Sequence, residues 1–237
     1  MTDYSPLLMA IPGVTHGFGS KSALLPIPLQ PYCSTRTETK QVHGTHIVDV
    51  HHPMQACGEA DGFFTREPGI LLSVLTADCL PVIFCRKDGQ AIAVAHAGWR
   101  GLLNGILEQM AQRISLEDRA INWVAAIGPA AGACCYEVNE DLINKFQQTL
   151  PFPATMISPT YRHLDLAAIA EAKLHALGFA AVDRVGSCTI CTPNDDPALA
   201  RRFKYTSYRR NSHRREQDPS HPGIKGRNQH SGIIINK

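Results

Sequence analysis

The stretch 70–101 constrains the fold most. It reads Ile-Leu-Leu-Ser-Val-Leu-Thr-Ala-Asp-Cys, then Leu-Pro-Val-Ile-Phe-Cys, a polar turn, and Ala-Ile-Ala-Val-Ala-His-Ala-Gly-Trp-Arg-Gly. Two apolar, β-branched runs bracket Arg86-Lys87-Asp88-Gly89-Gln90, and Asp-Gly between alternating hydrophobic residues is a strong hairpin signal. With Asp88 and Gly89 at the centre of the turn, facing residues sum to 177, so Cys79 faces Gly98 and His96 is its diagonal neighbour on the same face. Diagonal neighbours lie roughly 7–8 Å apart, close enough for one metal ion or one reacting atom to sit between a thiol and an imidazole. A one-residue bulge would reverse this parity.

The rest of the chain supplies further elements. Seven prolines and glycines, from Pro6 to Pro28, mark residues 1–40 as loop-rich, with one short strand near Val14–Phe18. Residues 41–50 alternate as a strand would, which puts His43 and His46 on opposite faces and lets only one of them reach a shared site. Leu102, Leu103, Ile106, Leu107, Met110 and Ile114 share one helical face. A strand over 121–127 ends in Gly-Pro-Ala-Ala-Gly, and helices begin at Asn139 and Asp165, the second closed by Gly178. Strands follow at 181–186, 203–208 and 232–236. Residues 209–230, nearly devoid of large apolar side chains, read as an exposed loop. No repeat or linker divides the 237 residues, so a single domain over 1–237 is expected. Its class is α+β, with mixed β-sheets flanked by helices.

The bulk properties exclude several functions. A net charge of +2 argues for neither a nucleic-acid nor a membrane partner, and no run approaches the ~18 apolar residues of a spanning helix. The N-terminus has no signal-peptide pattern, so a cytoplasmic protein is expected, with its eight cysteines as thiols or metal ligands.

His43, Cys79 and His96 form the first candidate constellation. Three N/S ligands with one open position suit a catalytic zinc, which lowers the pKa of its water to about 7. On spacing alone a Cys and a His in strands are more often core residues. A metal-free variant has Cys79 as nucleophile and His96 as its base. Asp78, next to the thiol, is either an acceptor for a ligand histidine or a turn residue at the strand start. Gly98-Trp99-Arg100-Gly101 sets N–H groups and a guanidinium at a helix start, suited to phosphate, or else is a glycine-permitted turn; Gly128 to Gly132 repeats the pattern. Cys188-Thr189-Ile190-Cys191 is a lone C-x-x-C, and vicinal Cys134-Cys135 is a poor chelating geometry, so most of the expectation falls on buried thiols. The basic run around Arg209, Arg210, His213, Arg214 and Arg215 lacks interleaved aromatics and suits a solvated loop or small-anion site.

Together, Gln41-Val42-His43-Gly44, Thr76-Ala77-Asp78-Cys79-Leu80-Pro81, His96-Ala97-Gly98-Trp99-Arg100-Gly101 and Ile127-Gly128-Pro129 with Cys134-Cys135-Tyr136-Glu137-Val138 resemble the YfiH-like purine nucleoside phosphorylase family, also called laccase-domain or polyphenol oxidase proteins. Ser207-Tyr208-Arg209-Arg210 and Gly226-Arg227 extend the likeness from about residue 41 to the C-terminus. The resemblance implies a sandwich of mixed sheets and a zinc ion held by His43, Cys79 and His96. It implies phosphorolysis of purine nucleosides, including methylthioadenosine, and deamination of adenosine. Catalysis would then fall to Cys79, His43, His96, Asp78 and Arg100. Substrate and phosphate would be met by Gln41, Lys21, Gly98, Arg100, Arg210 and Arg227.

Two features depart from the family pattern. Lys21 stands where the family carries an arginine, and lysine cannot make a planar bidentate contact. The segment between Arg210 and Gly226 is longer than the pattern expects. A cysteine or zinc hydrolase acting on a cell-wall precursor is the alternative that the family also carries. Copper polyphenol oxidation is disfavoured, because eleven histidines include no His-x-His pair for multiple coppers. Monomer and homodimer both remain open.

Overall fold

The computed structural model describes residues 2–196, 198 and 203–237. The strands are β1 (Val14–Phe18), β2 (Glu38–Lys40), β3 (Ile47–Asp49), β4 (Ala56–Glu59), β5 (Gly62–Thr65), β6 (Leu72–Thr76), β7 (Leu80–Arg86), β8 (Ile92–Ala97), β9 (Trp123–Ile127), β10 (Ala181–Arg184) and β11 (Gln229–Ile235). The helices are α1 (Pro6–Met9), α2 (Trp99–Asn104), α3 (Ile106–Ser115), α4 (Glu140–Thr149), α5 (Ala154–Ile157), α6 (Leu166–Ala176) and α7 (Tyr208–Gln217). Among the described residues the strands form a six-stranded mixed sheet, β10-β9-β7-β8-β5-β3, a three-stranded antiparallel sheet, β1-β11-β6, and a small β2-β4 pair. This is the α+β architecture of mixed sheets flanked by helices.

The two-residue period of the central strands divides the core in two. Val82 and Phe84 of β7, Ala93 and Ala95 of β8, and Trp123 and Ala125 of β9 face the layer holding Ile106, Met110, Ile169 and Leu174 of α3 and α6. Ile83 and Cys85, Ile92 and Val94, and Val124 and Ala126 alternate with them and face Phe18, Val74 and Ile233 of the smaller sheet. Each apolar run is buried on both faces, which accounts for its nearly continuous hydrophobicity.

The hairpin keeps the expected register: Leu80 faces Ala97, Pro81 faces His96 and Cys85 faces Ile92, each pair summing to 177. The connection is wider than a two-residue turn. Arg86 and Ala91 close it, Gly89 sits at φ +72°, and its N–H donates to Arg86 O at 2.8 Å.

Several other expectations are corrected. Residues 41–46 are a loop rather than a strand, because His43 adopts φ +60° and the backbone curls around a buried carboxylate. The single helix expected after residue 101 is two, α2 and α3, joined by Gly105 at φ +98°. Residues 121 and 122 belong to a 3-10 turn before β9. No strand spans 203–208; only Phe203 bridges to Pro193. The expected loop 209–230 instead opens with α7, whose cap is Ser207 Oγ accepting from Arg210 N at 3.1 Å, and it ends inside β11.

His16, on β1, is buried, and its Nε2 accepts the Ser5 N–H at 2.9 Å, so the ring is neutral there. Burial, only partly opposed by Asp183, lowers its pKa from 6.5 to about 4. Between those values the unfolded chain binds a proton that the fold refuses, so stability is full above about 6.5 and declines as pH falls toward 4. This residue alone should contribute a loss of about 3 kcal/mol. Urea unfolding from pH 7 to 4 should show a steeper decline for the native protein than for His16→Gln, whose amide oxygen can still accept from Ser5. Parallel curves would contradict this reading.

Candidate metal centre and basin

Cys79 and His96 share the parity of Ile83 and Val94, so both side chains lie at the open end of the layer between the two sheets. The 41–46 loop adds His43, whose ring lies 4.8 Å from that of His96, centroid to centroid. Ligand atoms of His43, Cys79 and His96 all lie within 4.8 Å of one another.

Asp61, just before β5, holds this arrangement together. Its fully buried carboxylate accepts the N–H groups of Val42 at 3.1 Å, His43 at 3.0 Å and Gly44 at 2.7 Å, and His96 Nδ1–H at 2.7 Å. A carboxylate only accepts, so Nδ1 carries the proton and Nε2 is left for a ligand or for the thiol. Burial raises the Asp61 carboxyl, but the His96 bond and the N–H groups of Gly44 and Val42 more than reverse this, and its pKa is lowered. Burial also pushes the Cys79 thiol up. Hydrogen bonds from His43 and His96 and their charges bring it down to about 7. His96, depressed by burial, is raised to about 9 by Asp61 and Cys79. The lowered thiol and the raised imidazole both run toward a thiolate–imidazolium pair, in which the proton between His96 Nε2 and Cys79 Sγ is the one a metal cation would displace.

Gly98 leaves the space. A Cβ there would lie 2.9 Å from the His43 ring and 3.0 Å from Cys79 Sγ. The donor set and the missing methyl fit a metal ion of the N/S-preferring kind.

The trio lines a basin of about 770 Å³, within the range of small-molecule pockets. Gln41, Asp78 and Arg100 of the expected residues also line it. Gln41 clasps the outer edge of β6: its Nε2 donates to Leu75 O at 2.9 Å and its Oε1 accepts from Leu75 N at 2.7 Å. Asp78, at φ +99°, meets no imidazole. It accepts from Thr189 Oγ1 at 2.6 Å, Ser207 Oγ at 3.0 Å and Arg209 N at 2.7 Å, tying the hairpin to the C-terminal segment. Arg100 is exposed and lies over the Trp99 ring at 5.1 Å.

Other expected residues stand outside the basin lining. Arg210 is engaged by the carbonyls of Thr189, Ile190 and Tyr205 and stacks on Phe203 at 4.1 Å. Arg227 donates to Pro222 O and Gly223 O. Lys21 lies after β1, its backbone N–H bonded to Lys204 O at 2.8 Å. His46 turns away, its Nδ1 3.0 Å from Glu59 O. The glycine loop after β9 serves packing: a Cβ on Gly128 would lie 2.2 Å from the Phe18 ring.

Sequence reasoning missed Asp61 and Asn228 and gave Tyr136, Tyr208 and Arg209 no individual role, naming them only within motifs and the basic run. The one available signal for Asp61 was a charge set between Ala60 and the apolar run Gly62-Phe63-Phe64. Arg209 lies over Tyr136 at 5.1 Å and bonds Glu137 O, which puts an arginine on the rim where Arg210 was expected. A second hollow of about 640 Å³ shares Trp99, Tyr136 and Arg209 with the basin but contains none of the trio.

Residues 29–216 match the family model described as multi-copper polyphenol oxidoreductase laccase. The chain belongs to this family. It is 34% identical over 180 residues to a purine nucleoside phosphorylase of Rickettsia conorii, covering 74% of this chain and 71% of that protein. It is 34% identical over 169 residues to purine nucleoside phosphorylase YfiH of Escherichia coli, covering 70% and 68%. The fold matches a Neisseria meningitidis crystal structure with a TM-score of 0.77 at 24% identity, over 100% of this chain and 99% of that one. No helix among the described residues is long and apolar enough to cross a membrane.

Proposed function

We propose that this laccase-domain protein is a zinc-dependent purine nucleoside phosphorylase that also deaminates adenosine and accepts methylthioadenosine. The observation that carries the reading is the juxtaposition of His43, Cys79 and His96 within one basin with the rim arginines Arg100 and Arg209. The names of the relatives support it. His43, Cys79 and His96 would hold the ion, which supplies Lewis acidity and a source of hydroxide near neutral pH.

The chain's own groups do the positioning. Arg100 and Arg209 offer guanidinium forks suited to phosphate, and Trp99 and Tyr136 hold those forks in place by stacking. Tyr136 and Tyr208 give the basin aromatic surface for a purine. Phosphorolysis forms a bond from a phosphate oxygen to C1′ as the C1′–N9 bond breaks, its electron pair leaving with the base. The sugar passes through an oxocarbenium-like state, which a phosphate pinned beneath it stabilises by position and charge. Asp61 keeps the His96 ring oriented throughout.

A second reading draws on the Cys79–His96–Asp61 alignment, which has the order of a nucleophile, its base and an orienting carboxylate. It would make the protein a metal-free cysteine hydrolase, with a cell-wall precursor as the substrate class. The donor clusters among the described residues supply no set of imidazoles for several coppers, which keeps copper oxidation disfavoured.

Incubating the protein with inosine and adenosine, with and without phosphate, should give ribose 1-phosphate and free base only when phosphate is present, and inosine from adenosine. Activity should disappear on chelation and return with zinc. Full activity in metal-free protein would sink the zinc reading and favour the cysteine mechanism.

A further inference from the structure

Four cysteines from widely separated parts of the chain converge outside the basin. Cys134 and Cys135 lie in the turn that follows Gly132, where Cys135 N and Tyr136 N both donate to Gly132 O at 2.9 Å. Cys188 and Cys191 bracket a second turn after β10, closed by Thr192 N donating to Cys188 O at 3.1 Å. The expectation of buried thiols does not hold: Cys134 and Cys191 are exposed, and Cys135 and Cys188 only partly covered. All four sulfurs lie within 4.8 Å of one another. We propose that Cys134, Cys135, Cys188 and Cys191 form a tetrathiolate site for a single structural zinc ion, separate from the His43, Cys79 and His96 set.

Distances favour one ion over covalent pairing. Zinc–sulfur bonds of about 2.3 Å set the edge of a sulfur tetrahedron at about 3.8 Å. Cys134 Sγ and Cys191 Sγ are 3.7 Å apart. A disulfide needs about 2.05 Å, and all four are free thiols. A cluster of several irons would spread its cysteine sulfurs wider than a single tetrahedral ion does.

The surroundings are also shaped for thiolates. Gly132 N donates to Cys188 Sγ at 3.3 Å, and the N–H groups of Ile190 and Cys191 face the same sulfur. Such donors orient a metal-bound sulfur and disperse its charge. A Cβ on Gly132 would lie 3.2 Å from Cys188 Cβ and 3.4 Å from Cys134 Sγ, so glycine keeps the two turns at chelating distance. Four neighbouring thiolates repel one another strongly, and a divalent cation offsets that repulsion.

With four protein ligands the site has no open position, so its role is to clamp. It joins the turn leading into Tyr136 to the turn carrying Thr189, which bonds Asp78 beside Cys79. The ion would thus fix one wall of the basin without touching substrate.

Full-length protein, purified with reductant and loaded with zinc, should carry two zinc ions per chain by elemental analysis. Cys188→Ser/Cys191→Ser should keep one, and Cys79→Ala should keep the other. In cobalt-substituted protein the intense thiolate-to-metal absorption should survive in Cys79→Ala and weaken severalfold in the double variant. A native protein with one ion that the double variant loses would support this site and count against the basin zinc. One ion that only Cys79→Ala removes, or a double variant with an undiminished zinc count, would overturn the proposal. If the double variant fails to fold, alkylation of native protein decides: zinc should shield these four thiols, and equal labelling with and without zinc would refute the site.

Discussion

Cys79→Ala protein is expected, on the proposed zinc-dependent phosphorolysis, to bind no ion in the basin and to phosphorolyse inosine more than about 100-fold more slowly, as kcat/KM, than the native chain. Loss of an outer hydrogen-bond partner of a ligand costs 10–100-fold, and loss of the ligand itself exceeds that. The substitution should leave the fold intact, because Cys79 lies at the end of the inter-sheet layer, only partly buried, and alanine leaves β7 and β8 paired from Leu80 onward. Zinc content and kcat/KM measured on one preparation test this. Activity retained without metal would remove Cys79 from both mechanisms.

Asp61→Asn should weaken zinc binding 10–100-fold and destabilise the protein by about 3 kcal/mol. The carboxylate accepts four hydrogen bonds at full burial. An amide keeps one acceptor oxygen and turns an NH₂ toward groups that themselves donate, so N–H groups of the 42–44 loop are left unpaired and His43 loses its anchor. Urea unfolding reads the stability and competition with a chromophoric chelator reads the metal. The two losses should appear together. A stable variant with native zinc affinity would show that the loop holds His43 by other means.

The hairpin was legible because its register follows from a local turn and a period of two, and Cys79 and His96 fall on one face by arithmetic. Asp61 was not, since its partners lie 17 to 35 residues away and no local pattern announces a carboxylate that will be wrapped by backbone N–H groups. Residues 41–46 imitate a strand in their alternation, yet His43 adopts a left-handed conformation that the alternation cannot report. Helix α7 escaped for the opposite reason: Tyr-Arg-Arg-Asn-Ser-His-Arg-Arg-Glu-Gln has no apolar stripe, and only its Ser207 cap marks it. The cysteine quartet was weighed and set aside because vicinal Cys134-Cys135 looks like a poor chelating partner for a lone C-x-x-C, and only the pairing of β10 with β9 shows that the two halves meet.

The three-stranded sheet has one further consequence, for synthesis. Its middle strand is β11, whose neighbours β1 and β6 never pair with each other. A ribosome adding about 5–20 residues per second needs roughly 8–30 s to go from β6 to β11. During that interval both waiting strands present bare edges, and the apolar face of the large sheet has no cover. The emerging chain is therefore most exposed to misassociation in the interval between β6 and β11, and holdase chaperones should bind it most strongly just before β11 leaves the exit tunnel.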